Sequence, residues 1–585
     1  MRELIDLLIK SKDKVPDNEI LDQQTKIAQD IYDCASNNRG GKLFLLKAPT
    51  GFGKTETFIA PFFYSIINNN WFAGRAFIVD PIHSLLNQMN ERLNKYVNAL
   101  KPDALKSKIF IGEDHGEIIN RTFLYTTIIT LTTIDSFIYG YLAKRTLTWT
   151  SKGVETGRYS LPAGLIMNSY NIFDEAHLIQ DEAYLGPRIL SKSINSITKS
   201  GGIVLFSSAT LPTKLMELFD KNNIIEYKSK LNKWKKAEII LHEETIDKIH
   251  DYINKDNCNS KTLIFVNSIE RARKLYFSLK EKCGDNIVIL HSLLRKKEKN
   301  DVLDKVKKNK KMLIATQAAE AGIDIDDFET VYTEISPIDS LIQRIGRVRK
   351  NDIEAHIFDV ENSLPYLPDI IKNTKNVLED LKDKSINLND LDYIQSMVDQ
   401  VYDKFIIEKL SEIGNAFYVE SMEYIYNLHL YSYPPEQYLF LRPSFYVSLY
   451  IVDGNVDCKD INDLSDFINH STKNNFSDYL IKYSISLLNS SNLERLRRLI
   501  DQWYKSFKIL CWFENGVFNK KDENFYNNRD KEIDLLKTTL IVIQKDDLYD
   551  EAGINLEKIN KLSSIEQEST SKSDKSKRKG KKREK

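Results

Sequence analysis

The chain has 585 residues, 42% of them hydrophobic and 10% aromatic, and its 83 basic residues balance 83 acidic ones. That is ample apolar material for several packed cores, which excludes wholesale disorder, and the length suits about three or four domains. Zero net charge excludes a uniformly basic nucleic-acid binder, so any polyanion site must be a local groove.

The first residues, MRELIDLLIKSKDKVPDNE, carry acids early and have no long apolar core, unlike a signal peptide. No run approaches the ~18–20 apolar residues of a membrane span. The five cysteines (Cys34, Cys258, Cys283, Cys458, Cys511) stand at no metal or thioredoxin spacing, and their scatter suits a reducing compartment. The expectation is a cytoplasmic protein with no membrane contact.

Short apolar runs follow in chain order, each closing on Gly, Asp, Thr or Ser: LFLLKAPTG (43–51), AFIVDP (76–81), TIITLTT (127–133), YNIFDEAH (170–177) and IVLFSSAT (203–210). After a charged stretch near Lys228–Lys236 come TLIFVNS (262–268), IVILHS (287–292), KMLIATQ (311–317), TVYTEIS (330–336) and EAHIFDV (354–360). Buried strands alternating with helical segments predict parallel α/β sheets, with ligands at the carboxyl ends of the strands. The charged break predicts two sheets. Beyond about residue 365 amphipathic helical patterns dominate, with aromatic-rich segments such as YSYPPEQYLFLRPSFYVSLYIV (431–452) adding strand content. The predicted class is α/β, with two tandem parallel-sheet lobes (1–235 and 236–365), a mostly helical C-terminal domain (366–570) and a basic tail (571–585). The tail is either a solvated end or a non-specific DNA or partner contact.

Residues 48–55, APTGFGKT, follow a strand and open a helix, the context a phosphate-binding loop needs. Ala48, Pro49, Thr50 and Phe52 build the loop. Gly51 and Gly53 let backbone N–H groups wrap the phosphates of ATP at a helix N-terminus, and Lys54 supplies charge. Thr55 and Asp174 are predicted to hold Mg²⁺, and the adjacent Glu175 to accept a proton from, or orient, the attacking water. His177 has no partner ligand at metal spacing and reads as a link from the ATP site to a neighbouring motif. Ser208 and Thr210, in SSAT, can bridge the ATP side and the polyanion side by hydrogen bonds. In QRIGRVRK (343–350), Gln343, Arg344 and Arg347 are candidates for insertion from the second lobe into the first lobe's site, where an arginine finger is worth ~10³–10⁵ in rate. In TQAAEAGIDID (316–326), Thr316 can meet a phosphate, Gly322 permits a close turn, and Asp324 can face the nucleotide or Arg347.

In order, APTGFGKT, DEAH, SSAT, TQAAEAGIDID and QRIGRVRK resemble motifs I, II, III, V and VI of superfamily two helicases, on two RecA-like lobes. The finer text, including DPIHSLLNQMNERL (80–93), TLTTIDSFIYG (130–140), SLPAGLIMNSYNIFDEAHLIQDE (160–182) and VNSIERARKLY (266–276), resembles the CRISPR-associated helicase of type I systems. The likeness is close over about residues 20–365 and loose beyond. It implies a DEAH-box motor recruited by an RNA-guided surveillance complex, moving 3′→5′ on single-stranded DNA with Mg²⁺-ATP as fuel. It also implies strand-backbone contacts at Pro81, Ser84, Thr132, Thr133, Asn267 and Thr316. Each of these could equally be a strand-end cap. Gln24 resembles the upstream glutamine that reads adenine. Two departures stand out. The last position of QRIGRVRK is Lys350, with Arg349 one residue early, so Arg347 is the safer finger. Only about 45 residues precede the loop, too few for the fused HD nuclease of many members, so the resemblance is to the form that works beside a separate HD nuclease. The pair His250-Asp251 lacks neighbouring histidines and reads as chance. The rival readings are another superfamily two repair or RNA helicase and a nucleotide-dependent scaffold without catalysis. The absence of cysteines between Lys54 and Asp174 argues against the iron–sulfur repair branch.

Overall fold

The structure is a computed structural model. It describes residues 1–12, 15–37, 41–49, 51–80, 83–101, 105–115, 125–142, 160–174, 185–208, 210–229, 235–253, 258, 260–308, 312–317, 328–348, 350–381, 384–413, 415, 418–419, 421–423, 445–452, 484–490, 509–514, 517–520, 540–544 and 549–555.

The chain opens with two helices, α1 (Arg2–Lys10) and α2 (Asn18–Ser36). Asp17 caps α2, its carboxylate accepting from the backbone N–H of Glu19 and Ile20, and Leu21, Ile27, Ala28, Ile31 and Ala35 fall on one buried face at helical spacing. Then come β1 (Leu43–Lys47), α3 (Lys54–Ile67), β2 (Ala76–Asp80), α4 (His83–Ala99), β3 (Ile111–Asp114), β4 (Ile129–Thr133), α5 (Ile134–Tyr141), α6 (Ser160–Met167), β5 (Tyr170–Phe173), α7 (Leu185–Lys199), β6 (Ile203–Ser208), α8 (Thr213–Met216) and β7 (Ile224–Lys228). The strands form one parallel sheet in the order β3-β4-β2-β5-β6-β1-β7. Period-two alternation sorts its side chains: Phe44, Leu46, Ile78 and Leu205 face α1–α4, whereas Leu43, Leu45, Val79 and Phe206 face α5–α7. Each such buried side chain contributes roughly 1.5–3 kcal/mol.

The second lobe repeats the plan with β8 (Lys236–Thr245), β9 (Thr262–Phe265), α9 (Ile269–Cys283), β10 (Ile287–Leu290), α10 (Lys296–Lys308), β11 (Met312–Ala315), β12 (Thr330–Glu334), α11 (Ile338–Gly346) and β13 (Asp352–Asp359). Its sheet runs β10-β11-β9-β12-β13-β8 in parallel, and a short antiparallel strand, β14 (Ser385–Asn387), joins the β8 edge. The helices α12 (Pro368–Glu379), α13 (Leu391–Val401) and α14 (Lys404–Ile413) cover the seam between the lobes, and their apolar faces continue one core from the first lobe into the second. Beyond them, β15 (Phe445–Val452), β16 (Ser484–Ser490), β17 (Ile509–Glu514), β18 (Val517–Lys520) and β19 (Leu540–Gln544) make a mixed five-stranded sheet, which supplies the strand content expected there. A final hairpin, β20 (Tyr549–Asp550) and β21 (Gly553–Ile554), lies against α9 and β10 of the second lobe.

All ten expected strands are present. Within the two lobe sheets, four further strands, β3, β7, β8 and β14, did not stand out in the sequence because they are polar, half-exposed or very short. Cys258 and Cys283, 25 residues apart, are joined by a disulfide, so these two are not scattered thiols: α9 carries Cys283 back to a position that sequence spacing keeps apart from it. Among the described residues, no helix is long and apolar enough to cross a membrane.

Candidate functional site

The described residues of the predicted phosphate loop, together with Gln24 and Asp174, gather at the carboxyl edge of the first sheet. Strand β1 ends at Lys47, and Ala48, wholly buried, ties its N–H to the Ser208 carbonyl at 3.4 Å. The loop then turns through Pro49, whose carbonyl accepts from Phe52 N–H at 3.3 Å, and Phe52 is buried beneath it. Gly51 and Gly53 hold φ of +90° and +84°. At Gly53 a side chain is excluded twice over, by the left-handed backbone and by Gln24 Nε2, which fills the space a Cβ would need. Gln24 is itself buried and donates from Nε2 to the Phe52 carbonyl at 2.7 Å and the Gly53 carbonyl at 3.3 Å. It therefore clamps the loop from below. Helix α3 starts on Gly53 and points its N-terminus, with Lys54 and Thr55 buried in its first turn, into the loop.

Thr55 Oγ1 donates to Asp174 Oδ2 at 2.9 Å, although the two are 119 residues apart, and the Ser207 hydroxyl donates to Asp174 Oδ1. A hydroxyl and a carboxylate converging at the end of β5 are the hard oxygen ligands Mg²⁺ takes, so these residues fit that ion. At the end of β6, Ser208 Oγ accepts from Thr210 N–H at 3.1 Å. Thr210 Oγ1 accepts from Gln343 Nε2 at 3.3 Å, the hydrogen bond through which α11 of the second lobe reaches the first. Arg347 is half-buried and caps the C-terminus of α11.

Arg344 is placed differently from its two companions. Its guanidinium is wholly buried inside the second lobe and donates to Thr333 Oγ1 (3.0 Å), the Glu334 carbonyl (3.2 Å), Asn267 Oδ1 (3.0 Å) and Tyr366 Oη (3.2 Å). That is the setting of a positioning residue, not of a group at the reacting atoms. The polar side chains expected on the strand backbone are also engaged internally. Thr132 Oγ1 donates to the Asp114 carbonyl at 2.7 Å, Thr133 caps α5, and Asn267 Nδ2 donates to the Ile335 carbonyl at 2.8 Å. For these three the strand-end cap is the role the side chains fill. Thr316, just past β11, ties its N–H to the Leu290 carbonyl at 3.2 Å. Thr50, Pro81, Glu175, His177, Gly322, Asp324 and Arg349 lie outside the described residues, as does the side chain of Ser84.

Sequence reasoning missed a charged layer behind the site. Glu56 is buried, accepts from the Tyr96 hydroxyl and pairs with Lys12; Arg92 donates to Thr55 Oγ1 at 3.3 Å. Burial would raise the Glu56 pKa, but Lys12 and Arg92 outweigh it and hold the carboxyl below its usual value. The available signal was a lone glutamate in an otherwise apolar helix, KTETFIAPFFYSII, which must be paired if buried. In the second lobe Glu334 plays the corresponding part: burial pushes its pKa up against the opposing Arg271, 3.1 Å away, and it accepts from Asn267 N–H at 2.6 Å.

Comparisons with known proteins give the family. Residues 23–218 match the DEAD/DEAH box helicase model, and residues 258–353 match that of the CRISPR-associated nuclease/helicase Cas3, C-terminal. The chain is 36% identical to a CRISPR-associated helicase Cas3 of Thermoproteus tenax, over 93% of its own length and 92% of the relative's. In fold it is similar to T. fusca Cas3 crystallised with AMPPNP, at TM-score 0.62 and 14% identity over 92% of this chain and 68% of that one. It is also similar to a chain of a CRISPR RNA-guided surveillance complex in a pre-nicking state, at TM-score 0.53 and 15% identity over 91% and 67%. On that identity and coverage, the chain belongs to the Cas3 family of CRISPR-associated helicases.

Proposed function

We propose that this helicase hydrolyses ATP to move along single-stranded DNA, with 3′→5′ polarity, in type I CRISPR interference. The observation that carries the reading is the pair of contacts that share one edge: Thr55 with Asp174 inside the first lobe, and Gln343 with Thr210 between the lobes. The loop N–H groups and Lys54 bind the phosphates, with Gln24 fixing the loop. Thr55 and Asp174 would hold Mg²⁺, which when bound neutralises the charge developing on the transferred phosphoryl group. Glu175, next in sequence, orients the attacking water, and Arg347, one turn beyond Gln343, supplies the finger. Because the site is then shared between lobes, turnover depends on their closure. Hydroxyl, amide and backbone groups along the edges would hold a strand by its phosphates without reading bases.

The surveillance complex is the proposed loading partner, supported by the similarity to a chain of such an assembly. Cutting is assigned to a separate HD nuclease, supported by the Thermoproteus relative, which this chain spans over 92% of its length and which is named a helicase alone. The test is ATPase activity of the purified chain with and without single-stranded DNA. It should require Mg²⁺, rise with DNA, and fall about 10²-fold or more in Lys54→Ala. Undiminished activity in that variant would remove the phosphate-loop assignment, and stimulation by RNA but not DNA would favour an RNA helicase. The same preparation should leave DNA uncut. Metal-dependent cutting that survives Asp174→Ala would overturn the assignment of cutting to another protein.

A further inference from the structure

The charged layer behind the nucleotide loop is not accounted for by any motif. Glu56, next after Thr55 on α3, is 1% exposed and holds Lys12 and the Tyr96 hydroxyl. Arg92, one turn before Tyr96 on α4, sets Nη1 3.3 Å from Thr55 Oγ1. Burial would lower the Arg92 pKa, but the groups around it, the carboxylates of Glu56, Asp174 and Asp80 among them, outweigh burial and raise it. Thr55 in turn donates to Asp174 at 2.9 Å. A permanent cation thus stands one hydrogen bond from Thr55 and within electrostatic reach of Asp174.

A threonine hydroxyl that donates to Asp174 accepts from Arg92 through a lone pair. A divalent ion ligated by Thr55 would take the oxygen's other lone pair, and its charge would repel the guanidinium held on the same oxygen. We propose that Arg92 is a positioning residue that stands in for the divalent cation while the nucleotide site is empty. It neutralises the carboxylates, holds Thr55 in place, and withdraws from Thr55 toward Glu56 when cation and nucleotide enter together. The inference rests on the reading of Thr55 and Asp174 as the cation's ligands. It assigns to Arg92 a function in setting the cation concentration at which nucleotide is held.

The test is the Mg²⁺ titration of a fluorescent ADP analogue bound to the full chain. In Arg92→Met the Mg²⁺ midpoint should fall about tenfold or more, because one opposing charge a few ångströms from the cation is gone. Affinity in EDTA should weaken in the same variant, and Arg92→Lys should move both values back toward wild type. A merely structural Arg92 would lower the melting temperature and leave the midpoint in place, and an unchanged or higher midpoint overturns the proposal. If Arg92→Met does not fold, Arg92→Gln keeps a donor for Thr55 and removes only the charge. The wild type also provides a test: its nucleotide affinity in EDTA should stay within about tenfold of that with Mg²⁺, since a charged donor already faces the site. A loss beyond about 10³-fold would overturn the stand-in. If instead no divalent ion affects wild-type nucleotide binding at all, the Thr55–Asp174 reading fails and not this one alone.

Discussion

Two neighbouring side chains on one helix show how far a single position separates packing from catalysis. Gln343 points out of the second lobe to Thr210, and Arg344 points in, with its guanidinium over the Phe265 ring at 5.2 Å. Gln343→Ala removes a half-buried contact, so it should leave the melting temperature nearly unchanged. ATP turnover should drop by about 10²-fold, because the lobes lose a registering contact at the reacting edge. Arg344→Met should do the reverse in its first effect. It strips the buried donor from Thr333, Asn267, Tyr366 and the Glu334 carbonyl, a loss worth about 3–5 kcal/mol of stability. Thermal melting read beside steady-state ATPase separates the two. Equal melting temperatures with lost turnover in both variants would return Arg344 to the reacting centre.

At the scale of elements, the hairpin of β20 and β21 is fastened to the second lobe by a small set of buried polar groups. Arg273 reaches Asp550 through both nitrogens, at 3.0 and 2.7 Å, and donates to the Gly553 carbonyl at 2.7 Å. His291 donates from Nε2 to the Ala552 carbonyl at 2.9 Å and accepts at Nδ1 from Leu293 N–H at 3.1 Å, which makes it a neutral ring. Gly553 allows the close approach, since a Cβ there would sit 2.7 Å from the Leu293 carbonyl oxygen. Burial lowers the His291 pKa from 6.5 to about 3, with Arg273 and Lys299 adding to the fall and the Ala552 carbonyl and Asp550 opposing it. The folded value lies below the unfolded one, so the clasp is fully stable above about pH 6.5 and weakens as pH falls toward 3, by up to about 1.4 kcal/mol per pH unit. The protection factors of the β21 amides, with exchange referred to the unfolded chain at the same pH, should fall as pH drops across that window, and His291→Gln should flatten the dependence. A profile that is flat in the wild type would show that the ring does not govern the clasp. None of this was legible in the sequence, because residues 549–555 lie more than 250 positions beyond both Arg273 and His291 and share no periodic pattern with them. Strands such as β1 (LFLLK) and β12 (TVYTE) were legible because central strands are buried on both faces and read as apolar runs. The β8 strand, KAEIILHEET, was passed over because it is half-exposed and most of its residues are polar or charged. The site was legible where one short segment carries it, as in the loop over 48–55, and not where α4 brings Arg92 to Thr55.

Across the whole molecule, the two lobes are joined by more than their shared nucleotide edge. Helix α13 touches the first lobe through Asp399, which accepts from Thr213 N–H at 2.8 Å and Thr213 Oγ1 at 2.7 Å, and through Gln395 Nε2 on the Leu211 carbonyl at 3.0 Å. The residue after that helix, Tyr402, donates to Asp339 of α11 at 2.9 Å. The helix therefore spans the backs of the two segments that meet at Thr210 and Gln343. Asp399→Ala should cost little stability, about 1 kcal/mol or less for an exposed contact, while DNA stimulation of ATPase falls severalfold as closure becomes less defined. Full stimulation in that variant would show that α13 is a passive cover. The topology has a practical consequence as well. Helix α1 rides on the first lobe, packed with α2 and α3, whereas β21 is fixed to the second, so the chain leaves its first residues and those around Asn555 on opposite halves of the machine. Dyes at those two places would report opening and closing as one distance, with no label inside either core and none on the five-stranded sheet between α14 and the hairpin. That sheet is an excursion tethered at both of its ends, so a pull applied beyond residue 555 would be borne by the second lobe first.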